Sequence, residues 1–64
     1  MTPTVRYDPA ANAAYIRFSS ERVLESEEVS PGIIFDFDEQ GRIVGMEFLD
    51  AKKDLPMQVL AEAA

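Results

Sequence analysis

The stretch of sequence that decides the fold is IIFDFDEQGRIVGMEF, residues 33–48. On both sides of its segment DEQG, residues 38–41, apolar side chains alternate with polar or small ones, a period of two that is typical of β-strands. Gly41 can adopt the left-handed backbone conformation that often closes a short hairpin loop. The stretch therefore predicts two antiparallel strands joined by a turn at residues 38–41.

The register of this hairpin is constrained, because a slip by one residue would move every side chain to the opposite face. Pairing Phe37 with Arg42 gives one apolar face and one mixed face. The apolar face then carries Ile33, Phe35, Val44 and Met46. The mixed face carries Ile34, Asp36, Ile43, Gly45 and Glu47. We predict this register, with Phe35 opposite Val44.

Three further strands are predicted upstream of the hairpin. Alternating residues indicate strands at 5–7 and 14–18, and a more acidic pattern indicates a third at 23–29. The turns between them are supplied by Asp8-Pro9, residues 19–22 and Pro31-Gly32. Short strands joined by short turns are typical of an antiparallel meander, so we predict a sheet of about five strands over residues 4–49.

A helix is predicted near the C-terminus, where the apolar period changes. Asp54 is the candidate N-cap, Leu55 the first helical residue, and Pro56 lies in the first turn, where its missing N–H is tolerated. The apolar stripe of this helix comprises Leu55, Val59, Leu60 and Ala63. An isolated helix of this length is marginal in water, so helix 55–63 must dock on the apolar face of the sheet.

The predicted fold is therefore α+β: a small antiparallel β-meander of about five strands with one C-terminal helix packed on one face. Sixty-four residues are enough for one domain, so we assign residues 1–64 to a single unit. A chain of this length buries only about 60% of its unfolded surface, and without Cys it has no disulfides to add stability. We expect association with another chain to supply further buried surface.

Composition excludes several functional classes. The sequence has no His and no Cys, which removes Ser-His-Asp and Cys-His catalytic systems and imidazole or thiolate metal sites. Twelve acidic residues against six basic ones give a net charge of −6, which argues against direct binding of nucleic acid. No apolar run approaches the length of a membrane span and no signal pattern precedes the first strand. We therefore expect a cytoplasmic protein that does not bind a membrane.

The acidic residues are concentrated in the middle of the chain. Residues 21–50 contain nine of the twelve acidic residues and two of the six basic ones. A run of Glu on a strand is typical of a charged sheet edge that prevents aggregation, and it can also steer a basic partner toward the protein. We expect a small basic protein as partner. The predicted acidic partner surface comprises Glu25, Glu27, Glu28, Asp36 and Asp38.

The mixed face of the hairpin suggests a contact with a second copy of the chain. One helix cannot cover both faces of a sheet, and a bare Gly45 would allow another surface to approach closely. The predicted homodimer interface comprises Ile34, Ile43, Gly45, Leu49 and Tyr15. The expected function is thus a homodimeric protein-interaction or regulatory module, with no enzymatic activity, no catalytic residues and no cofactor.

An alternative function follows from the spacing of carboxylates in the hairpin. Asp36, Asp38 and Glu47 fall at positions one, three and twelve of an EF-hand calcium loop, with Gly41 at position six. The alternation of residues 33–37 predicts a strand where an EF-hand has a helix, and the hairpin would hold Glu47 roughly 13 Å from Asp36. We therefore expect no metal site. The alternative is a divalent-metal-binding or hydrolytic protein that uses these three carboxylates.

Several short motifs form a pattern of their own: Tyr7-Asp8-Pro9, Ala13, Tyr15-Ile16, Pro31-Gly32-Ile33, Asp36-Phe37-Asp38-Glu39, Gly41-Arg42-Ile43-Val44-Gly45 and Glu47. Together they resemble the DUF2283 family of small bacterial and archaeal proteins, over roughly residues 5–52. The resemblance implies a compact, mostly antiparallel β-domain with no catalytic residues to carry over, and for some members a toxin–antitoxin-like pairing. An antitoxin-like role is thus one form of the expected function. This chain departs from the family pattern at Asn12, Ala14 and Gln40, where Asp, Leu and Asp are usual.

Overall fold

The computed structural model of the protein describes residues 3–63, which form five β-strands and two short helices. The strands are β1 (Thr4–Asp8), β2 (Ala13–Arg17), β3 (Glu25–Ser30), β4 (Ile33–Phe37) and β5 (Ile43–Phe48). The helices are α1 (Ala51–Asp54) and α2 (Met57–Ala63). Residues 1, 2 and 64 of the predicted domain lie outside the described residues.

β5 lies at the centre of a single antiparallel sheet, whose strand order is β1-β2-β5-β4-β3. The predicted α+β class and antiparallel sheet are confirmed. An uninterrupted meander would place β3 beside β2. Instead β3, β4 and β5 form a meander, β1 and β2 form a hairpin, and residues 18–24 connect the two units. Burial follows this order, since the central strand β5 contains three buried residues whereas all six residues of the edge strand β3 are exposed.

The loop of the β4–β5 hairpin closes one residue further along the chain than predicted. The Asp38 N–H donates to the Arg42 carbonyl (3.0 Å), so these two residues end the ladder. Phe37 therefore pairs with Ile43 and not with Arg42. Gly41 has a φ of 75° and closes the loop as expected.

A β-bulge in β5 adds a second shift to this register. Ile43 and Gly45 are paired with β4, and Val44 between them is the extra residue. Phe35 consequently lies opposite Met46, and the predicted Phe35–Val44 pair is wrong. Two successive shifts of one residue return most side chains to their predicted faces, because the side-chain period of a strand is two.

The hydrophobic core lies between one face of the sheet and the two helices. Its buried residues are Ala14, Phe48, Ala51 and Leu60. Half-buried side chains that pack against them are Tyr7, Ile16, Ile33, Met46 and Leu55. Four strands and both helices contribute to this cluster, so the predicted packing of helical structure on one face is confirmed.

Two short helices replace the single predicted helix 55–63. α1 follows β5 directly, with Ala51 completely buried, and Asp54 is the last residue of α1 and not an N-cap. Leu55 is extended, with φ −122° and ψ 145°, because the residue before a proline is driven out of the helical region by the ring of Pro56. α2 therefore begins at Met57, two residues later than predicted.

Asn12 joins the β1–β2 turn to α1. Its φ of 53° is in the left-handed region, which Asn tolerates better than most residues. Its carbonyl accepts the Ala51 N–H (2.9 Å) and its Oδ1 accepts the Lys52 N–H (3.1 Å). Its Nδ2 donates to Oδ1 of Asp50 (2.8 Å). Asp50 is the N-cap residue of α1, but its own side chain makes no capping hydrogen bond. Asn12 thus satisfies backbone donors that the start of a helix leaves free.

Candidate functional site

Strand β3 forms an open, acidic edge of the sheet. It pairs with β4 on one side, no other described strand lies beside it, and all six of its residues are exposed. Three of the six are Glu25, Glu27 and Glu28. Their partners on β4 are apolar, and none of the three forms an ion pair within residues 3–63. The edge therefore carries charge that the described part of the chain does not neutralise.

The three glutamates lie on both faces of the sheet. Glu25 and Glu27 pair with Phe37 and Phe35, so they share the face on which the helices pack. Glu28 pairs with Ile34 and lies on the opposite face. Any molecule that contacts all three carboxylates must reach both faces of the edge.

An aromatic pair lies beside this edge on the helical face. The rings of Phe35 and Phe37 meet edge to face, with centroids 6.4 Å apart and planes at 61°. Both side chains are half-buried. The main contacts of α2 with the sheet are with β1, on the far side of the molecule. Glu25 and Glu27 therefore border an apolar shelf that lies away from the main helix contacts.

The opposite face carries a chain of hydrogen bonds across the sheet. Tyr15 Oη on β2 donates to Oδ2 of Asp36 on β4 (2.6 Å), and so reaches over β5. Ser26 Oγ on β3 donates to Oδ1 of the same carboxylate (2.6 Å), and Arg17 Nη1 donates to the Tyr15 hydroxyl (3.4 Å). Burial, followed by the hydrogen bond to Asp36, raises the pKa of Tyr15. The phenol therefore remains a donor at neutral pH.

Arg17 also holds the connection between β2 and β3. Its Nε donates to the carbonyl of Ser19 and its Nη2 to the carbonyl of Glu21. Sequence reasoning recognised residues 19–22 as a polar turn but not this role of Arg17. Backbone carbonyls in an irregular segment need donors, and composition does not reveal which side chain supplies them.

Gly45 is buried beneath the ring of Tyr15. A Cβ placed on Gly45 would lie 2.7 Å from Cζ of Tyr15 and closer still to its hydroxyl. The prediction that a bare glycine leaves room for a second subunit is therefore wrong, because an aromatic ring of the same chain fills that space. Tyr15 pairs with Glu47 and lies diagonal to Gly45 on the neighbouring strand, so its ring compensates for the side chain that glycine lacks.

Asp38 does not belong to the acidic partner surface. Its side chain is only 5% exposed, and its Oδ1 accepts the N–H groups of Gln40 (2.9 Å) and Arg42 (3.0 Å). Its Oδ2 accepts Nε of Arg42 (3.0 Å). These donors, above all the Arg42 N–H, lower the pKa of Asp38. The carboxylate of Asp36 is held by two hydrogen bonds on the face opposite the helices. Of the five residues of the predicted acidic partner surface, only Glu25, Glu27 and Glu28 are exposed.

The structure does not bring together the three carboxylates of the alternative metal site. Asp36 and Asp38 are engaged as described, and Glu47 on β5 lies between Ile34 and Tyr15. No group of three acidic side chains in residues 3–63 is arranged to hold a metal ion.

The five predicted interface residues do not form one surface. Ile34 and Tyr15 share a face, where both flank the same residue of β5. Ile43 pairs with Phe37 after the bulge and therefore belongs to the other face. Leu49 lies beyond the end of β5 and is 51% exposed. The bulge reverses the face of Ile43, so the structure does not bring these five residues together on one face.

Gly45→Ala is expected to lower the free energy of unfolding by about 1–3 kcal/mol, because the added methyl group overpacks against the Tyr15 ring. Urea denaturation followed by circular dichroism measures the effect. The same substitution in a Tyr15→Val background should be much less destabilising, since the ring is absent. An equal loss in both backgrounds would contradict the assigned contact.

Asp38→Asn is expected to change stability in a pH-dependent way. Because the pKa of Asp38 is lowered in the folded state, its charge stabilises the fold above the unfolded carboxyl pKa of about 3.9. This contribution is lost as the pH falls through the lower, folded-state pKa. The stability difference between wild type and variant should be constant above about pH 5 and shrink below about pH 4. Glu39→Gln, at the exposed neighbouring position, is the control. If the stability difference between wild type and Asp38→Asn persists undiminished at acid pH, the stabilising role of the Asp38 charge is refuted.

Comparison with known proteins places the chain in a family. No curated protein and no solved structure matches it. Neither helix within residues 3–63 has the length and apolar character needed to cross a membrane. The model of the DUF2283 family, described as a protein of unknown function, matches residues 4–52, which include all five strands. The chain therefore belongs to the DUF2283 family.

Proposed function

We propose that this chain is a protein-interaction module that acts by binding and not by catalysis, and that it binds a basic partner protein through β3. The observation that carries the proposal is the state of that strand: it has six exposed residues at an edge of the described sheet, and three of them are glutamates that form no ion pair within residues 3–63. Hydrogen bonds within the chain engage the other two carboxylates of the predicted acidic surface, Asp36 and Asp38.

Electrostatics support a basic partner. The net charge of −6 is accompanied by a local concentration of carboxylates on β3, and exposed charges of one sign accelerate the approach of an oppositely charged protein. A regulatory, antitoxin-like role is one form of this function, in which the acidic edge covers a basic surface of the partner. Attraction of this kind weakens with salt, because exposed charges are screened within about 10 Å at 0.1 M ionic strength.

We further propose that the module is a homodimer, with its contact moved from the predicted face to the end of the sheet near the β4–β5 loop. Phe18, Leu24 and Ile43 are 37%, 54% and 43% exposed. They lie near one another in the ladder: Phe18 N–H donates to the Val44 carbonyl (2.9 Å), and both Leu24 and Ile43 adjoin Phe37. A small domain gains stability by burying such side chains against a second copy.

Replacing Glu25 and Glu27 by Gln is expected to weaken binding of a basic probe by about fivefold, since each exposed ion pair contributes up to about 1 kcal/mol. The probe is a fluorescent peptide of eight residues in which Lys and Thr alternate, and its anisotropy is measured at low and moderate salt. The control is Glu47→Gln with Glu62→Gln, which removes the same charge from exposed positions elsewhere. Equal weakening by both double variants would show that only net charge matters and would contradict the proposed site.

Ile43→Asp is expected to convert the dimer to a monomer, because it places a charge in the proposed apolar contact. Light scattering after size exclusion should give twice the 7.1 kDa chain mass for the wild type and the single chain mass for the variant. Met57→Asp, at a 65% exposed position on α2, is the control and should remain dimeric. A monomeric wild type, or a dimeric and folded Ile43→Asp variant, would exclude this contact.

A further inference from the structure

We infer that the basic partner binds as an extended segment that adds a sixth strand to the sheet at β3. The inference rests on the proposed function and specifies how the partner is recognised: through backbone hydrogen bonds to β3 and through ion pairs with its glutamates. Strand addition of this kind takes affinity from the backbone and specificity from alternate side chains.

The backbone of β3 provides the first part of this recognition. In a β-strand, alternate residues direct both N–H and C=O toward the same neighbour. Among residues 3–63, β3 has a neighbour on the β4 side only, and from Glu25 to Glu28, before the bulge at Val29, alternate residues face the open edge. At about 3.3 Å per residue, the four regularly paired residues 25–28 offer an edge of about 13 Å, which matches a short extended segment of the partner.

The placement of the carboxylates favours a strand over a helix as the partner. Glu25 and Glu27 lie on one face of the sheet and Glu28 on the other, where its Oε2 also accepts the Gly32 N–H (3.0 Å). A helix lying on one face would leave the carboxylate on the other face out of contact. An added strand directs its side chains to both faces in turn, so basic side chains at alternate positions meet Glu25 and Glu27, while the residues between them reach the face of Glu28.

The opposite edge of the sheet is less suited to this role. β1 is covered on its helical face by α2, and Val5 lines a depression together with Val59 and Glu62. The charges of β1, on Arg6 and Asp8, are of opposite sign and select no partner charge. β3 has neither the helix nor the mixed charge.

Charge also excludes a second copy of the chain as the occupant of this edge. Antiparallel pairing of two β3 strands places three glutamates from each copy in one ladder, and like charges directly opposite each other are destabilising. A segment with Lys or Arg at alternate positions converts the same geometry into favourable cross-strand pairs. The occupant is therefore a basic strand of a different protein.

Backbone N-methylation of the Lys-Thr peptide tests the inference with the intact chain. One version is methylated on the backbone nitrogens of its four Lys residues, and the other on the backbone nitrogens of its four Thr residues. Neither modification changes the charge of the peptide. In an added strand only one of these sets faces β3. We expect one version to lose at least tenfold in affinity and the other to bind within threefold of the parent peptide.

Two results would overturn strand addition while leaving the proposed function intact. If both methylated versions bind like the parent, recognition depends on charge alone; if both lose affinity equally, the peptide binds in a form other than a strand. Binding of the unmethylated parent peptide distinguishes failure of the proposed function from failure of strand addition. Absence of its binding at low salt, or indifference to the Glu25→Gln, Glu27→Gln variant, overturns the function and with it the binding mode.

Discussion

The pairing of β5 with strands on both sides is the constraint on which the rest of the structure depends. β5 hydrogen-bonds to β4 through the hairpin and to β2 through a contact between residues far apart in sequence. Because β2 and β4 occupy the two sides of β5, β3 pairs with the outer side of β4 and becomes an edge. The same pairing brings Phe48 beside Ala14, where α1 and α2 complete the core with Ala51 and Leu60. Core and open edge are therefore two consequences of one arrangement.

The two faces of the sheet are closed by different means. Apolar contacts with the two helices cover one face of the sheet. The other face is spanned by hydrogen bonds from Tyr15 to Asp36 and from Ser26 to Asp36. Gly45 is needed for the second arrangement, because only a residue without a side chain leaves room for the phenol to cross β5. Carboxylates that contribute to this internal network are less suited to recognition. Glu25, Glu27 and Glu28 lie outside this network on β3, which has no second strand beside it among residues 3–63.

Particular residues show how far sequence reasoning reaches. Alternation of apolar residues identified all five strands, and the glycine at position 41 located the hairpin loop to within one residue. The pairing within that hairpin was wrong because the carboxylate of Asp38 organises the loop and because β5 contains a bulge, neither of which alters the alternation itself. The start of α2 was misplaced for a local reason: the residue before Pro56 is extended. For the candidate site, the glutamates of β3 were identified, whereas the burial of Asp38 and the contact between Tyr15 and Gly45 were not.

The sequence by itself determined the approximate number and positions of the strands, the α+β class, the excess of acidic charge and its concentration between residues 21 and 50. These properties follow from local periodicity and composition, which act within a few residues of chain. Only the tertiary structure decided which strand lies at the edge, which carboxylates are satisfied internally and which side of the sheet receives Ile43. Those outcomes depend on pairing between distant segments and on a one-residue bulge, and a period-two pattern is compatible with several such pairings.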